Sequence, residues 1–299
     1  MKRFLYTIAL LLVVFTTSCG KKGIYLYVGG GVFKIQEDAQ LAYVSFPDDD
    51  FASVIQINTT QSAYQTMNGT YTAKGHNLDL ALGDNSVHLI RTFSHIKSST
   101  KAKNLIPMKP KAPDQLTGSV WAVAANNNFY FAYFRPDGRF TSGRYYNVTR
   151  QEGIPYKWLW SIDPYTINGN QITSDGVSGT FYDEGQLMML QTLSVAHVTD
   201  LAGIASFNKS ELTGTVWTGY NGTYPAVVIF TSDTEFTRLV VSSNTVFTWT
   251  TGTYNLNGSS LTMWVGELSD ECSIEDGTLT FFERKYTWVE ELEELEDAL

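Results

Sequence analysis

The chain contains little cysteine and little proline. Two of its 299 residues are cysteine and eight are proline, whereas aromatic residues make up 14%. Two cysteines, Cys19 and Cys272, can form at most one disulfide, so a scaffold held by several disulfides is excluded. Stability must then come from the burial of apolar side chains. The abundance of Tyr, Phe, Trp, Thr, Val and Gly favours strands over helices, so we predict an all-β fold.

Basic charge is also scarce. The chain has 21 Lys and Arg against 30 Asp and Glu, which gives a formal net charge of -9. Residues 289–299 form an acidic C-terminal tail with six carboxylates and no positive charge. Binding to nucleic acid requires a basic patch, so we expect no nucleic-acid partner.

The sequence lacks the spacings that known catalytic and metal sites require. Its four histidines are scattered, and none lies at metal-ligand spacing from a cysteine or a carboxylate. The glycines of Gly29–Gly31 and Gly176–Gly179 match neither a phosphate-binding loop nor a nucleophile elbow. Asp48–Asp50 could ligate calcium, although an acidic hairpin tip predicts the same residues and is favoured. We therefore predict no catalytic residue, no metal and no cofactor.

A repeated segment is the strongest positive signal in the sequence. Leu212–Trp217 (LTGTVW) repeats Leu116–Trp121 (LTGSVW), and in both copies a Phe follows the Trp by thirteen residues and an Asp follows that Phe by three. The same spacing joins Phe33, Phe46 and Asp49. We infer that one module of about 90 residues occurs three times.

Turn residues at regular spacing predict how each module folds. Gly-rich and Asn-Gly turns separate short alternating apolar runs, a pattern typical of antiparallel strands joined by hairpins. We predict β-modules at residues 25–96, 116–195 and 212–288, a Lys/Pro linker at 97–115 and a shorter linker at 196–211. The long linker predicts that module 1 moves more freely than modules 2 and 3. Helical spacing of Trp288, Leu292, Leu295 and Leu299 predicts a short C-terminal helix.

The N-terminus has the features of an export signal. Lys2 and Arg3 precede an apolar run, Phe4–Phe15, which is too short to span a bilayer. Small residues and then Cys19 follow, an arrangement that resembles the bacterial lipoprotein signal. That resemblance implies removal of residues 1–18, a lipid on Cys19, a tether at 19–24 and attachment to the outer membrane, on its periplasmic face. The alternative is an ordinary signal peptide with an incidental cysteine.

The complete repeat unit is similar to a known type of domain. It opens with Gly-x-x-Trp, continues with a Phe-x-x-Asp hairpin and returns through Gly-x-Tyr and Asn-Gly turns. This order resembles the lipocalin-like domains of Bacteroidetes lipoproteins, whose function is generally unknown. Lipocalins have eight strands, and the unit here is shorter. The expected architecture is a barrel or open sandwich of six to eight strands, filled by its own side chains.

Two groups of aromatic residues could serve recognition. Phe33, Trp121 and Trp217 occupy one equivalent position and could line a pocket, but a plug at the bottom of each barrel is favoured. Module 2 also has a longer loop than its siblings, which bears aromatic residues and arginine, the residue types of recognition loops. The binding residues that we predict there are Tyr145, Tyr146, Arg150 and Tyr156.

These observations favour a non-catalytic function. We predict an envelope lipoprotein that acts as a binding or scaffolding protein for a glycan, a peptide or an envelope protein. One alternative is a carrier of small apolar ligands, which requires an open apolar cavity. The other is a hydrolase acting on envelope or dietary polymers, which requires clustered carboxylates in a cleft.

Overall fold

The described chain is built almost entirely of antiparallel strands. The computed structural model describes residues 25–37, 40–98, 104–153, 157–190, 193–197, 212–257, 260–275 and 277–288. Within these ranges the single helical element is a short 3-10 turn at Asp183–Gly185. The prediction of an all-β fold is confirmed.

Module 1 forms a closed barrel, here named barrel 1. Each strand pairs with the next along the chain, including the fourth with the fifth. Pairing of the first strand with the eighth then closes the ring. Its strands are β1 (Val32–Glu37), β2 (Gln40–Ser45), β3 (Phe51–Asn58), β4 (Ala63–Lys74), β5 (Asn77–Leu82), β6 (Asn85–Arg91), β7 (Ile96–Ser98) and β8 (Asn104–Pro107).

Module 2 forms barrel 2 in the same way. The strands are β9 (Val120–Ala125), β10 (Asn128–Phe134), β11 (Arg139–Tyr145), β12 (Trp158–Pro164), β13 (Thr166–Asn168), β14 (Gln171–Ser174), β15 (Val177–Tyr182), β16 (Leu187–Leu190) and β17 (Leu193–His197). The first strand pairs with the last. Only Tyr165 separates β12 from β13, so these two strands together occupy one strand position of the ring.

Module 3 forms barrel 3, the most regular of the three. Its strands are β18 (Val216–Asn221), β19 (Tyr224–Phe230), β20 (Glu235–Val241), β21 (Val246–Asn257), β22 (Ser260–Val265), β23 (Leu268–Glu275), β24 (Thr278–Phe281) and β25 (Arg284–Trp288). Pairing of β18 with β25 closes this ring as well.

Each barrel begins with the same glycine turn. A glycine in the left-handed region precedes the plug residue (Phe33, Trp121 or Trp217) by three positions. Its backbone N–H donates to the carbonyl of the phenylalanine thirteen residues after the plug residue, at 2.6 to 2.8 Å. A side chain with Cβ is strained at these φ values of +71° to +90°, which explains the glycine. The pairs are Gly30 with Phe46, Gly118 with Phe134 and Gly214 with Phe230.

The plug residues occupy equivalent places in the three barrels. Phe33, Trp121 and Trp217 are each at most 4% exposed and belong to the separate interior cluster of their own barrel. The indole N–H of Trp121 donates to the Ser119 hydroxyl and that of Trp217 to the Thr215 hydroxyl, both at 2.9 Å. They therefore pack the interiors of their barrels.

An aromatic pair recurs beside each plug. The phenylalanine of the glycine turn meets a tyrosine edge to face, with ring centroids 4.8 to 5.0 Å apart. The pairs are Phe46 with Tyr71, Phe134 with Tyr165 and Phe230 with Tyr254. We call this end of each barrel, where the turn, the plug and the pair lie, the closed end.

A fourth apolar cluster joins the three barrels. It contains outward-facing residues of all three modules, among them Tyr43, Phe131, Tyr145, Val227 and Phe247. Strand β4 also pairs with β21, which makes barrels 1 and 3 one continuous sheet. The prediction that module 1 moves freely is therefore wrong, because its outer face is buried against both neighbours.

A polar contact adds to the junction of barrels 1 and 2. The Lys34 ammonium lies 2.6 Å from the Asp183 carboxylate, and the Tyr43 hydroxyl donates to the same carboxylate. Burial, followed by the hydrogen bond to Asp183, raises the pKa of Tyr43. Asp183 and Glu184 both have positive φ, which is uncommon for residues other than glycine.

Two predicted boundaries need correction. The predicted linker 97–115 contains part of β7 and all of β8, and β8 completes barrel 1 by pairing with β1 and β7. The predicted linker 196–211 begins inside β17, whose residues Ala196 and His197 pair with β9. Trp288, where we placed the start of a helix, is the last residue of β25. The rest of that predicted helix lies outside the described residues.

Candidate functional site

The predicted binding residues lie in different environments. Tyr145 is fully buried between barrels, where its ring centroid lies 4.9 Å from that of Trp158 and 6.0 Å from that of Tyr220. This burial raises the pKa of the Tyr145 hydroxyl. Tyr145 therefore packs barrel 2 against barrel 3 and offers no surface to a ligand. Tyr156 and the predicted lipidation site Cys19 lie outside the described residues.

The loop that carries Arg150 is fastened to the barrels. The buried Asn147 side chain accepts the backbone N–H of Gln151 at 2.8 Å and an amide N–H of Asn127 at 3.1 Å. The exposed Arg150 guanidinium lies 5.1 Å from the ring centroid of Tyr220 in barrel 3. This part of the loop thus contacts barrel 3 instead of projecting as a separate recognition arm.

A cavity opens at the end of barrel 1 that lies opposite the closed end. Its volume is about 470 Å³, within the range of small-ligand sites. It touches β3 and Ser98 of β7, which stand across the ring from each other, and it extends to Val246 of barrel 3, so it lies at the mouth of barrel 1 beside the junction with barrel 3. Its lining residues include Ile35, Ala42, Ser98, Val246 and five carboxamide side chains: Gln40, Gln56, Asn58, Gln61 and Gln65.

The carboxamides of the mouth differ in how they are engaged. Asn58 and Gln61 are tied to each other at 3.1 Å and to the β3–β4 turn, so they shape the rim. Gln56 pairs with Gln65 across β3 and β4, and both side chains are exposed. No hydrogen bond engages the side chains of Gln40, Gln56 or Gln65 within the described ranges. These three amides therefore offer free donors and acceptors to a ligand.

The other two barrels place different side chains at the same inward positions. In each barrel, the residue four positions before the phenylalanine of the glycine turn pairs with a residue on the next strand. These pairs identify the equivalent positions in the three barrels. The positions hold Ala42, Gln56 and Asn58 in barrel 1, Tyr130, Arg144 and Tyr146 in barrel 2, and Ala226, Val240 and Ser242 in barrel 3. Barrel 1 thus differs from barrel 2 in having a small side chain, Ala42, and from both other barrels in having two carboxamides at these positions.

Large side chains occupy the mouth of barrel 2. The Arg144 guanidinium carbon lies 3.8 Å from the ring centroid of Tyr146 and 5.0 Å from that of Tyr130. Deeper along β11 and β12, the Ser142 and Ser161 hydroxyls are 2.8 Å apart, and Ser161 donates to the Asp163 carboxylate at 2.7 Å. Of this group, the sequence pointed only to Tyr146.

Side chains that could bind a metal are dispersed among the described residues. Within the ranges that the structure describes, no three side chains of His, Cys, Asp and Glu come together as a metal site. Asp48–Asp50 lies at the β2–β3 hairpin tip, as predicted, and Asp49 accepts a hydrogen bond from Tyr27. Burial, with the neighbouring Asp270, raises the pKa of the Cys272 thiol to about 12. Cys272 is therefore a packing residue of barrel 3.

None of the described helices has the length and apolar character needed to cross a bilayer.

Comparison with known proteins gives no family for the chain. No protein-family model and no curated protein matches it. Among solved structures, the DNA polymerase III subunit beta from Pseudomonas aeruginosa aligns at 8% identity and a TM-score of 0.14, over 88% of this chain and 92% of that one. The H. pylori beta clamp in complex with 5-chloroisatin aligns at 8% identity and a TM-score of 0.15, over 90% and 92%. Similarity at this level supports no argument.

Proposed function

We propose that this chain is a lipid-anchored envelope protein that binds a saccharide in the mouth of barrel 1 and catalyses no reaction. The observation that supports this most is the cavity of about 470 Å³, with five carboxamides in its lining and no charged side chain. The proposal keeps the predicted class of binding protein. It moves the binding residues from the loop of module 2 to the mouth of barrel 1.

The chemistry of the mouth favours a neutral ligand rich in hydroxyl groups. Each carboxamide presents two N–H donors and an acceptor oxygen, and each sugar hydroxyl is both donor and acceptor. Gln40, Gln56 and Gln65 are free to make such pairs. Ile35 and Ala42 add apolar surface against which the C–H face of a sugar ring can pack. A charged ligand would find no counter-ion in this lining.

The same lining argues against the two alternatives. A carrier of apolar ligands needs an apolar interior, whereas the deeper part of barrel 1 is filled by its own residues, including Phe33, Phe46 and Tyr71. A glycoside hydrolase needs two carboxylates flanking the bond, and the cavity lining has none.

The position of the N-terminus fits a lipid anchor. Tyr25, the first described residue, lies at the closed end, with its ring centroid 5.6 Å from the Arg91 guanidinium carbon beside the β6–β7 turn. The open mouth is at the opposite end of the barrel. Tyr25 lies six positions after Cys19, a stretch that spans about 20 Å when extended. A lipid on Cys19 would thus hold the closed end near the membrane, with the mouth turned away.

A glycan array with the soluble chain from Gly20 onward tests the proposal. We expect saccharide binding, and a loss of about tenfold or more in the Gln56→Leu, Gln65→Leu double variant, because two hydrogen-bonding side chains become apolar. Gln171→Leu, at an exposed glutamine of β14 in barrel 2, serves as the matched control and should bind as the parent does. Absence of any saccharide ligand, or equal binding by the double variant, would overturn the proposal.

A further inference from the structure

The mouth of barrel 2 contains an arginine held between two tyrosines. Arg144 pairs with Tyr130 across β10 and β11, and Tyr146 follows it by two residues, so all three side chains lie on the inward face. The guanidinium carbon is 3.8 Å and 5.0 Å from the two ring centroids. Stacking on aromatic rings fixes the plane of a guanidinium while its N–H edge remains free to bind.

The guanidinium has no polar partner among the described residues. Its Nε is buried and makes no hydrogen bond, and no carboxylate forms an ion pair with it. A carboxylate on the inward face of β12, that of Asp163, accepts the Ser161 hydroxyl at 2.7 Å. A buried donor without an acceptor is costly, so a site of this kind gains free energy when an acceptor arrives.

We propose that the mouth of barrel 2 binds a small organic carboxylate through Arg144. The flat, two-oxygen carboxylate matches the N–H fork of a guanidinium, and two parallel hydrogen bonds can form. A monoanion suits the site better than phosphate, because Asp163 contributes negative charge deeper in the barrel and repels a dianion more strongly. Tyr130 and Tyr146 act as positioning residues that hold the fork toward the mouth.

This site is separate from the saccharide site of barrel 1. The two lie at equivalent inward positions of different barrels, where Gln56 and Arg144 correspond. One module would thus recognise a neutral group and its sibling an anionic group. The carboxylate proposal does not depend on the saccharide proposal and can be tested in a chain that lacks the barrel 1 site.

Calorimetric titration with sodium glucuronate tests the proposal. The titrated protein is the soluble chain from Gly20 onward with Gln56→Leu and Gln65→Leu, so that the barrel 1 site does not contribute. Glucose serves as the uncharged counterpart and inorganic phosphate as the competing anion. We expect glucuronate to bind, glucose to bind at least about tenfold more weakly, and added salt to weaken the binding of glucuronate.

Two substitutions assign the binding to Arg144. Arg144→Met keeps the length of the side chain and should abolish glucuronate binding, while Arg144→Lys should lose most of it because an ammonium has no fork. Arg150→Met, on the loop that follows β11, is the matched control and should bind as the parent does. Circular dichroism melting checks that each variant is folded, and Arg144→Lys carries the test if Arg144→Met is not.

Four outcomes would overturn the proposal. They are no binding of glucuronate, equal binding of glucose, tighter binding of phosphate than of glucuronate, and glucuronate binding that survives in a folded Arg144 variant. Loss in Arg150→Met with retention in Arg144→Met would assign the anion to the loop and reject Arg144. None of these results bears on the saccharide site, which the glycan array tests separately.

Discussion

Replacement of Trp121 by alanine is expected to destabilise the protein by about 3–5 kcal/mol, the usual cost of removing a fully buried tryptophan. Trp121 is 0% exposed in the interior of barrel 2, and its ring contacts that of Phe181 at 5.5 Å between centroids. The substitution leaves a large cavity and removes the indole hydrogen bond to Ser119. Urea unfolding followed by circular dichroism measures the change in the free energy of unfolding.

Tyr224→Ala provides the control for this prediction. Tyr224 is also aromatic but is 46% exposed at the start of β19, so its removal should change the free energy of unfolding by at most about 0.5 kcal/mol. Trp217→Ala, at the equivalent plug position of barrel 3, should have an effect close to that of Trp121→Ala. A cost for Trp121→Ala below that of Tyr224→Ala would contradict the plug role.

Replacement of Cys19 by serine is expected to release the protein from the membrane fraction altogether. The proposed anchor is a lipid on the Cys19 sulfur and N-terminus, and without the thiol no lipid can be attached there. Anchoring that depends on several acyl chains is lost when all of them are absent. Membrane fractionation, with mass spectrometry of the mature N-terminus, measures the result.

Cys272→Ser is the matched control for the anchor. Cys272 is buried inside barrel 3, and its replacement should leave the protein in the membrane fraction. Protease added to intact cells should leave the parent uncut if it faces the periplasm. An unmodified Cys19 thiol in the mature parent, or membrane attachment of the Cys19→Ser variant, would contradict the anchor.

The sequence predicted the threefold repeat because the repeat is fixed by geometry that leaves few choices of residue. The turn before each plug needs positive φ, which selects glycine at Gly118 and Gly214. The backbone N–H of that glycine donates a hydrogen bond to a carbonyl on the neighbouring strand, which fixes the spacing to Phe134 and Phe230. Local geometry of this kind leaves a signal in a single sequence.

The last strand of barrel 1 was missed because its composition is that of a linker. Only Leu105 of β8 is buried, while Ile106 is 58% exposed and the strand ends at Pro107. Proline is tolerated at a strand end, and lysines and prolines surround this short segment. What holds β8 in place is pairing with β1, about 70 residues earlier in the chain, and composition alone does not reveal such a partner.

The shared cluster between barrels explains why the predicted loop site was incomplete. Tyr145 lies on the outward face of β11, and such a side chain could face either water or a neighbouring barrel. Nothing in the local pattern distinguishes these environments, because the neighbour comes from another module. The open mouth of barrel 1 did leave a signal: Gln40, Gln56 and Asn58 occupy inward positions of two strands whose remaining inward residues are apolar. Polar residues at such positions indicate a cavity or a rim.

Differential scanning calorimetry of the soluble chain tests the central claim, that three closed barrels are joined by one shared apolar cluster. That cluster includes buried residues of every barrel, for example Tyr43 of barrel 1, Phe131 of barrel 2 and Val241 of barrel 3. Unfolding of one barrel therefore exposes the outer faces of the others. We predict a single cooperative transition whose calorimetric and van't Hoff enthalpies agree, and which Trp121→Ala shifts as a whole. Three separate transitions, with only one of them moved by Trp121→Ala, would contradict the account.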